Sequence, residues 1–173
     1  MTKVLVAFAS KHDSTAEIAH AIGTALRQSD GLQVDVRSVE TVVDITPYEA
    51  VILGSAVYAG QWQTSAADFL KEHERELAQC PVWLFSSGPT GDGDPKATLK
   101  GWQFPAVLKP VAERIKPRNI AVFHGKLDPR KLNFLERVVV KGVKAPIGDF
   151  RDWNMIQEWA IGIAQTLRET LLA

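Results

Sequence analysis

The hydrophobic positions of the chain fall into two alternating rhythms. Val4 to Ala9 is a continuous apolar run rich in β-branched residues, the pattern of a strand buried on both faces of a parallel sheet. After Ser10 to Asp13, the stretch Ser14 to Gln28 places Ile18, Ala21, Ile22, Ala25 and Leu26 at helical spacing, with Asp13 or Ser14 as N-cap, Glu17 in the first turn and Gly31 closing the segment. Gln33 to Val39 reads as a more polar strand, and Tyr48 to Leu53 as an apolar one that stops at Gly54. Ala66 to Ala78 is helical, and Val82 to Ser87 is a fourth strand. Val107 to Ile115 is a helix fenced by Pro105 and Pro117, and Asn119 to His124 a fifth strand. Lys131 to Val143 and Trp153 to Leu172 are amphipathic helices. Strands alternating with helices imply an α/β fold, an open, doubly wound parallel sheet with right-handed crossovers. Gly88 to Pro105 is longer than the roughly 12–15 residues of an idle loop, which points to a functional segment.

In such a sheet, ligands bind beyond the carboxyl ends of the strands where the strand order reverses. Three loops leave such ends. Ser10-Lys11-His12-Asp13-Ser14-Thr15 runs from a buried strand into a helix, where free backbone N–H groups and the positive end of the helix dipole suit an anion. A plain capped turn accounts for the same residues equally well. The loop has neither the Gly-x-Gly-x-x-Gly of a dinucleotide fold nor the Gly-Lys-Ser/Thr of an NTPase loop. The second loop, Gly54 to Trp62, carries two aromatics, Tyr58 and Trp62, that can flank a flat heterocycle or simply cap the sheet edge. The third, Ser86 to Asp92, offers backbone groups where Gly88 and Gly91 permit close approach.

These loops, together with Gly125-Lys126-Leu127 and Gly148-Asp149-Phe150-Arg151-Asp152-Trp153, resemble the flavodoxin-like FMN proteins, and within them the branch that includes the quinone-dependent protoporphyrinogen dehydrogenases. The resemblance covers nearly the whole chain. It implies one flavodoxin-like domain over residues 1–173, a five-stranded parallel sheet in order 2-1-3-4-5, and FMN across the ends of the first, third and fourth strands. By the same resemblance Ser10, Lys11, His12, Asp13, Ser14 and Thr15 surround the FMN phosphate. Ala56, Val57, Tyr58 and Trp62 border the isoalloxazine, and Ser87, Gly88, Pro89, Thr90, Gly91 and Asp92 meet its pyrimidine edge. One position departs from the family pattern, which usually has glycine where this chain has Asp13. Aspartate tolerates left-handed backbone geometry, so the loop can keep its shape. Its charge faces a dianionic phosphate unless turned away or neutralised by Lys11 or His12, so FMN binding weaker than in relatives with glycine is expected.

Composition adds less than charge does. The chain has 173 residues, 46% hydrophobic, with 20 basic and 20 acidic side chains, which argues against disorder and against a basic nucleic-acid binder. That neutrality is a sum of opposites, since residues 1–80 carry a net charge of −5 and residues 81–173 one of +5. Residues 96–151 hold 13 basic against 4 acidic residues. Within them Arg130, Lys131, Arg137, Lys141 and Lys144 alternate with Leu132, Phe134, Leu135 and Val138 to Val140. Such a segment, spanning residues 129–144, can lie on anionic lipid, reach a quinone or dock an anionic tetrapyrrole. The more economical expectation is an ordinary crossover helix with its apolar face on the sheet.

The single Cys80 forms no internal disulfide, and no apolar run reaches the roughly 18–20 residues of a spanning helix. A cytoplasmic protein, peripheral at most on the inner face of the membrane, is therefore expected, the apolar start being too short for a signal peptide. No zinc-hydrolase, Cys/His or nucleophile-elbow pattern is present. His124, at the end of the fifth strand, is either a proton-transfer group or a satisfied strand-end histidine, and Asp92 and Asp94 read as turn formers. The leading expectation is an FMN-dependent oxidoreductase exchanging electrons with a small molecule, quinone or protein, with protoporphyrinogen IX and a quinone as the specific pair. A flavodoxin-type electron carrier and a flavin-free or FMN-sensing interaction module are the alternatives.

Overall fold

The computed structural model describes residues 1–172. Its elements in chain order are β1 (Thr2–Ala9), α1 (Ser14–Arg27), β2 (Leu32–Ser38), β3 (Ala50–Tyr58), β4 (Gln61–Trp62), α2 (Thr64–Glu72), α3 (Glu74–Leu77), β5 (Val82–Ser87), α4 (Pro95–Thr98), α5 (Lys109–Ile115), β6 (Asn119–Phe123), β7 (Lys126–Leu127), α6 (Phe134–Gly142), β8 (Gly148–Asp149) and α7 (Trp153–Leu172). Five strands pair in parallel in the order β2-β1-β3-β5-β6, the 2-1-3-4-5 arrangement of the long strands. The order reverses at β1 and β3, so the crevice of a doubly wound sheet opens between their carboxyl ends.

Both faces of the sheet are covered, which explains why the central strands read as unbroken apolar runs. Val4 and Val6 of β1 pack with Ile18, Ile22 and Leu26 of α1 and Ile156 and Ile163 of α7. Leu5 and Ala7, pointing the other way, pack with Phe69 and Leu70 of α2, Leu77 of α3, and Val111 and Ile115 of α5.

The structure departs from the sequence reading in four places. β3 does not stop at Gly54 but continues to Tyr58, paired with β5 as far as Ala56 and Ser87 and then with β4 through Val57 and Tyr58. Gly54 is there because the Phe85 ring lies against it: a Cβ would sit 2.0 Å from that ring. Beyond Tyr58 the chain reverses through Ala59 (φ 48°) and Gly60 (φ 72°), two positive-φ residues in a tight hairpin, into the antiparallel β4. The expected helix over 66–78 is broken at His73 into α2 and α3.

The helix expected over 131–143 begins only at Phe134, where Asn133 caps it in a reciprocal capping box with Glu136. That helix also fails to pack on the sheet. None of its residues is buried, and Phe134, Leu135, Val138 and Val139 are 78, 74, 55 and 61% exposed. It lies over the carboxyl end of the sheet instead of along its face, held near there by the small antiparallel β7–β8 pair and by polar contacts with the loop after β1.

Candidate functional site

A cavity of about 500 Å³ opens at the carboxyl ends of β1, β3 and β5. Ser10, Lys11, His12, Ser14 and Thr15 line one end, Ala56, Val57 and Tyr58 a second side, and Ser87, Gly88, Pro89 and Thr90 a third. Close backbone approach builds the floor. A Cβ on Gly88 would stand 3.1 Å from the Val57 carbonyl oxygen, and one on Gly125 3.1 Å from Gly88 Cα, so a side chain at either position requires the neighbouring backbone to give by a few tenths of an ångström.

The loop after β1 delivers α1 with its first N–H groups toward this cavity. Asp13 adopts left-handed geometry (φ 65°, ψ −16°), the conformation that lets a short loop turn into the helix. Of the alternatives the sequence left open, the charge is turned away: the side chain caps nothing, and neither Lys11 nor His12 offsets it. Its Oδ2 is instead 3.2 Å from Lys131 Nζ, with the carboxylate 74% exposed, turned away from the cavity it was expected to line. Lys11 and His12 face another partner. Lys11 pairs with Glu136 Oε1, and His12 Nε2 lies 3.2 Å from Glu136 Oε2. The Lys11 ammonium holds the Glu136 carboxyl below the usual glutamate range, aided by the Asn133 N–H. Lys11 Nζ also stands 5.6 Å from the centre of the Tyr58 ring, and burial, together with the charge of Glu136, pushes the Tyr58 hydroxyl up.

One group at this end has no partner. Ser10 Oγ is buried and makes no hydrogen bond, while the neighbouring Thr15 is only 2% exposed. A buried hydroxyl beside the open end of a helix is costly unless something accepts or donates there, and the donor set of loop, hydroxyls, lysine and histidine is that of an anion cradle. The residues therefore fit the phosphate of a nucleotide-like ligand.

Besides Asp13, three of the expected site residues lie elsewhere. Trp62 is 6% exposed, donates its indole N–H to Ser86 Oγ at 2.8 Å, and packs edge-on against Phe104, so it belongs to the core. Gly91 and Asp92 face a neighbouring open cleft with His124 and Asp149 to Asn154. His124 is 4% exposed with both ring nitrogens on carbonyl oxygens, Pro89 O at 3.0 Å and Gly93 O at 2.8 Å; it clamps the loop after β5 and does not line the cavity. Asp94 caps α4 through Lys96 N at 3.1 Å.

The sequence reading missed the fourth wall. Val139, Val140 and Val143 of the α6 segment face the cavity with Lys126, Lys131 and Lys144 at its rim, so an apolar surface edged by cations stands across from the loop after β1. Glu136 was missed as well; the Asn133-x-x-Glu136 spacing signals a helix start but not what the carboxylate reaches. Among the described residues no cluster of potential metal ligands occurs, and no helix is long and apolar enough to cross a membrane.

Comparison with known proteins bears on this arrangement. A sequence model of the flavodoxin domain matches residues 5–153. Protoporphyrinogen IX dehydrogenase [quinone] of Escherichia coli strain K12 is 22% identical over 173 residues, 94% of each chain. The protein of that name from Leishmania major is also 22% identical, over 94% of this chain and 74% of its own. Among solved structures, a flavodoxin from the domain Archaea superposes with a TM-score of 0.66 at 15% identity, covering 96% of this chain and 99% of that one. Rubredoxin oxygen:oxidoreductase from Desulfovibrio gigas gives 0.67 at 16% identity over all of this chain and 38% of its own. At these identities the structural likeness shows the fold.

Proposed function

We propose, since this chain belongs to the flavodoxin domain family, that it is an FMN-dependent dehydrogenase that oxidises protoporphyrinogen IX and passes the electrons to a quinone. FMN is the cofactor of the family, and oxidoreduction or electron carriage is its general work. The observation that carries FMN to this cavity is the unpartnered, buried Ser10 Oγ at the start of α1. In this reading Ser10, Lys11, His12, Ser14 and Thr15 hold the phosphate, Tyr58 flanks the ring, and the segment Ser87 to Thr90 meets its pyrimidine edge. The bound flavin supplies the redox chemistry; the chain positions it and walls it from water.

The substrate rests on the named relatives and on the fourth wall. A flat, apolar molecule with carboxylate groups is complementary to Val139, Val140 and Val143 with Lys126, Lys131 and Lys144 around them. The same cationic rim disfavours a soluble carrier, which presents acidic groups to basic partners. Peripheral contact with an anionic membrane through residues 129–144 belongs to this reading, supported by the exposed Phe134, Leu135, Val138, Val143 and Ile147 among Arg130, Arg137, Lys141 and Lys144.

Reconstitution with FMN followed by anaerobic mixing with protoporphyrinogen IX and a quinone tests the function. Porphyrin formation is the expected result; no flavin spectrum at saturating FMN overturns the assignment, and binding without turnover moves it to electron carriage. Cosedimentation with vesicles rich in phosphatidylserine tests the membrane contact separately. Binding at low salt that screening releases is expected, and no binding at low salt removes the contact alone.

A further inference from the structure

We propose that Glu136 is a displaceable stand-in for the FMN phosphate, and that FMN binding breaks its contacts and frees α6 from the loop after β1. The inference rests on the FMN reading and adds a regulation to it. Glu136 and Val140 are the two residues of α6 that are not exposed, and the Glu136 side chain, a carboxylate, is 13% exposed. Its carboxylate takes two side chains of the anion cradle, the Lys11 ammonium and the His12 imidazole, and accepts the Asn133 N–H at 3.0 Å. A second pair, Asp13 to Lys131 at 3.2 Å, ties the same two segments together just outside the cavity. With Phe134, Leu135, Val138 and Val139 exposed, apolar packing adds little to this attachment.

A phosphate monoester brings between one and two negative charges to the same two side chains at neutral pH. It also gains what the carboxylate does not touch, the open N–H groups of α1 and the unpartnered Ser10 Oγ. Two anions on one lysine and one histidine repel each other, so the more highly charged and better solvated-by-protein one keeps those side chains. Glu136 then leaves the cradle, and α6, with its apolar and basic face, moves more freely when the cofactor is loaded.

The test compares wild type with Glu136→Gln, which removes the charge and keeps an oxygen to accept the Asn133 N–H. Binding of FMN and of riboflavin is measured by flavin fluorescence, and amide exchange of residues 134–142 is followed with and without each flavin. Glu136→Gln is expected to bind FMN about 2- to 10-fold tighter with riboflavin affinity unchanged. In wild type, exchange in α6 is expected to rise with FMN and not with riboflavin, a measurement that needs no variant. Unchanged or weaker FMN affinity in Glu136→Gln, an equal gain for riboflavin, or α6 exchange that stays level or falls with FMN each overturns the displacement while leaving FMN binding in place. Absence of FMN binding in both proteins overturns the FMN reading and this inference together.

Discussion

Replacing Trp62 by phenylalanine separates its core role from a flavin-binding one. The indole donates to Ser86 Oγ at 2.8 Å, and Ser86 Oγ in turn donates to the Gln103 carbonyl at 3.2 Å. Phenylalanine loses the N–H, but the serine keeps its own acceptor, so no buried donor is orphaned and the loss is about 1 kcal/mol. The smaller ring also vacates roughly 40 Å³ beside Phe104, which at about 24 cal/mol per Å³ costs about another 1 kcal/mol. The sum of about 2 kcal/mol corresponds, for a domain of this size, to a fall of roughly 4–8 °C in melting temperature. Because Trp62 does not line the cavity, FMN affinity stays within about 2-fold of wild type. Tyr58→Ala should behave in the opposite way: the ring is 41% exposed and faces the cavity, so stability changes by less than about 1 kcal/mol while FMN weakens by about 10-fold. Thermal melts and flavin titrations on the two variants check both halves. A Trp62→Phe protein that melts like wild type and binds FMN 10-fold more weakly would refute the assignment of this side chain to the core.

Asp13→Gly relieves a left-handed residue and removes a carboxylate that Lys131 already offsets, so FMN tightens by no more than about 3-fold in a titration; equal or weaker affinity counts against the charge argument. Gly54→Ala drives a methyl group into the Phe85 ring and should cost at least about 2 kcal/mol in denaturant unfolding, whereas an unchanged midpoint would mean the ring has room to move. Asp128 is held down to about 2, first by the Arg130 side chain and then by the Arg130 N–H. A lowered carboxyl favours the fold above its unfolded value near 3.9 and loses that contribution as pH falls through about 2. A carboxyl NMR titration of Asp128 should therefore give a midpoint of about 2 that rises toward 3.9 in Arg130→Ala, and a wild-type midpoint near 3.9 contradicts the pairing.

The sheet was readable from sequence because both of its faces are covered. Val4 to Ala9 and Val82 to Phe85 are unbroken apolar runs, the pattern of strands covered on both faces. The loop after β1 was readable as a strand-to-helix connection for a related reason, a polar run between a buried strand and an amphipathic helix. Gly54 misled because a glycine inside a strand looks like its end; the cause, the Phe85 ring on the next strand, is thirty-one residues away in sequence. Trp62 misled because neighbours in a strand point to opposite faces. β4 leaves Gln61 exposed and buries the indole, and no local pattern states which of two consecutive residues takes the inner side. The amphipathic pattern of residues 131–143 was plain, yet amphipathicity announces an apolar stripe without naming what covers it. In the folded chain the sheet face is already occupied by α1 and α7 on one side and α2, α3 and α5 on the other.

The charge asymmetry gains a different meaning once the chain is folded. An acidic first half and a basic second half suggested a surface turned toward an outside anion. Yet of the eight ion pairs among the described residues, five join the two halves: Lys11 and His12 to Glu136, Asp13 to Lys131, Glu17 to Arg151, and Glu74 to Arg114. Four of these lie around the loop after β1 and hold the segments after β6 against it; Asp13 to Lys131 and Glu17 to Arg151 follow the polarity of the two halves, while Lys11 and His12 to Glu136 run against it. Arg151 illustrates the point, with a side chain 4% exposed between Asp149 and Glu17 and stacked 4.6 Å from the centre of the Trp153 ring. Nine of the 13 basic residues in 96–151 make none of these pairs, and three of them, Arg137, Lys141 and Lys144, lie in and just beyond the helix whose apolar side chains are exposed. The displacement proposed for Glu136 would act on that same surface, so it would link cofactor loading to partner binding through one carboxylate.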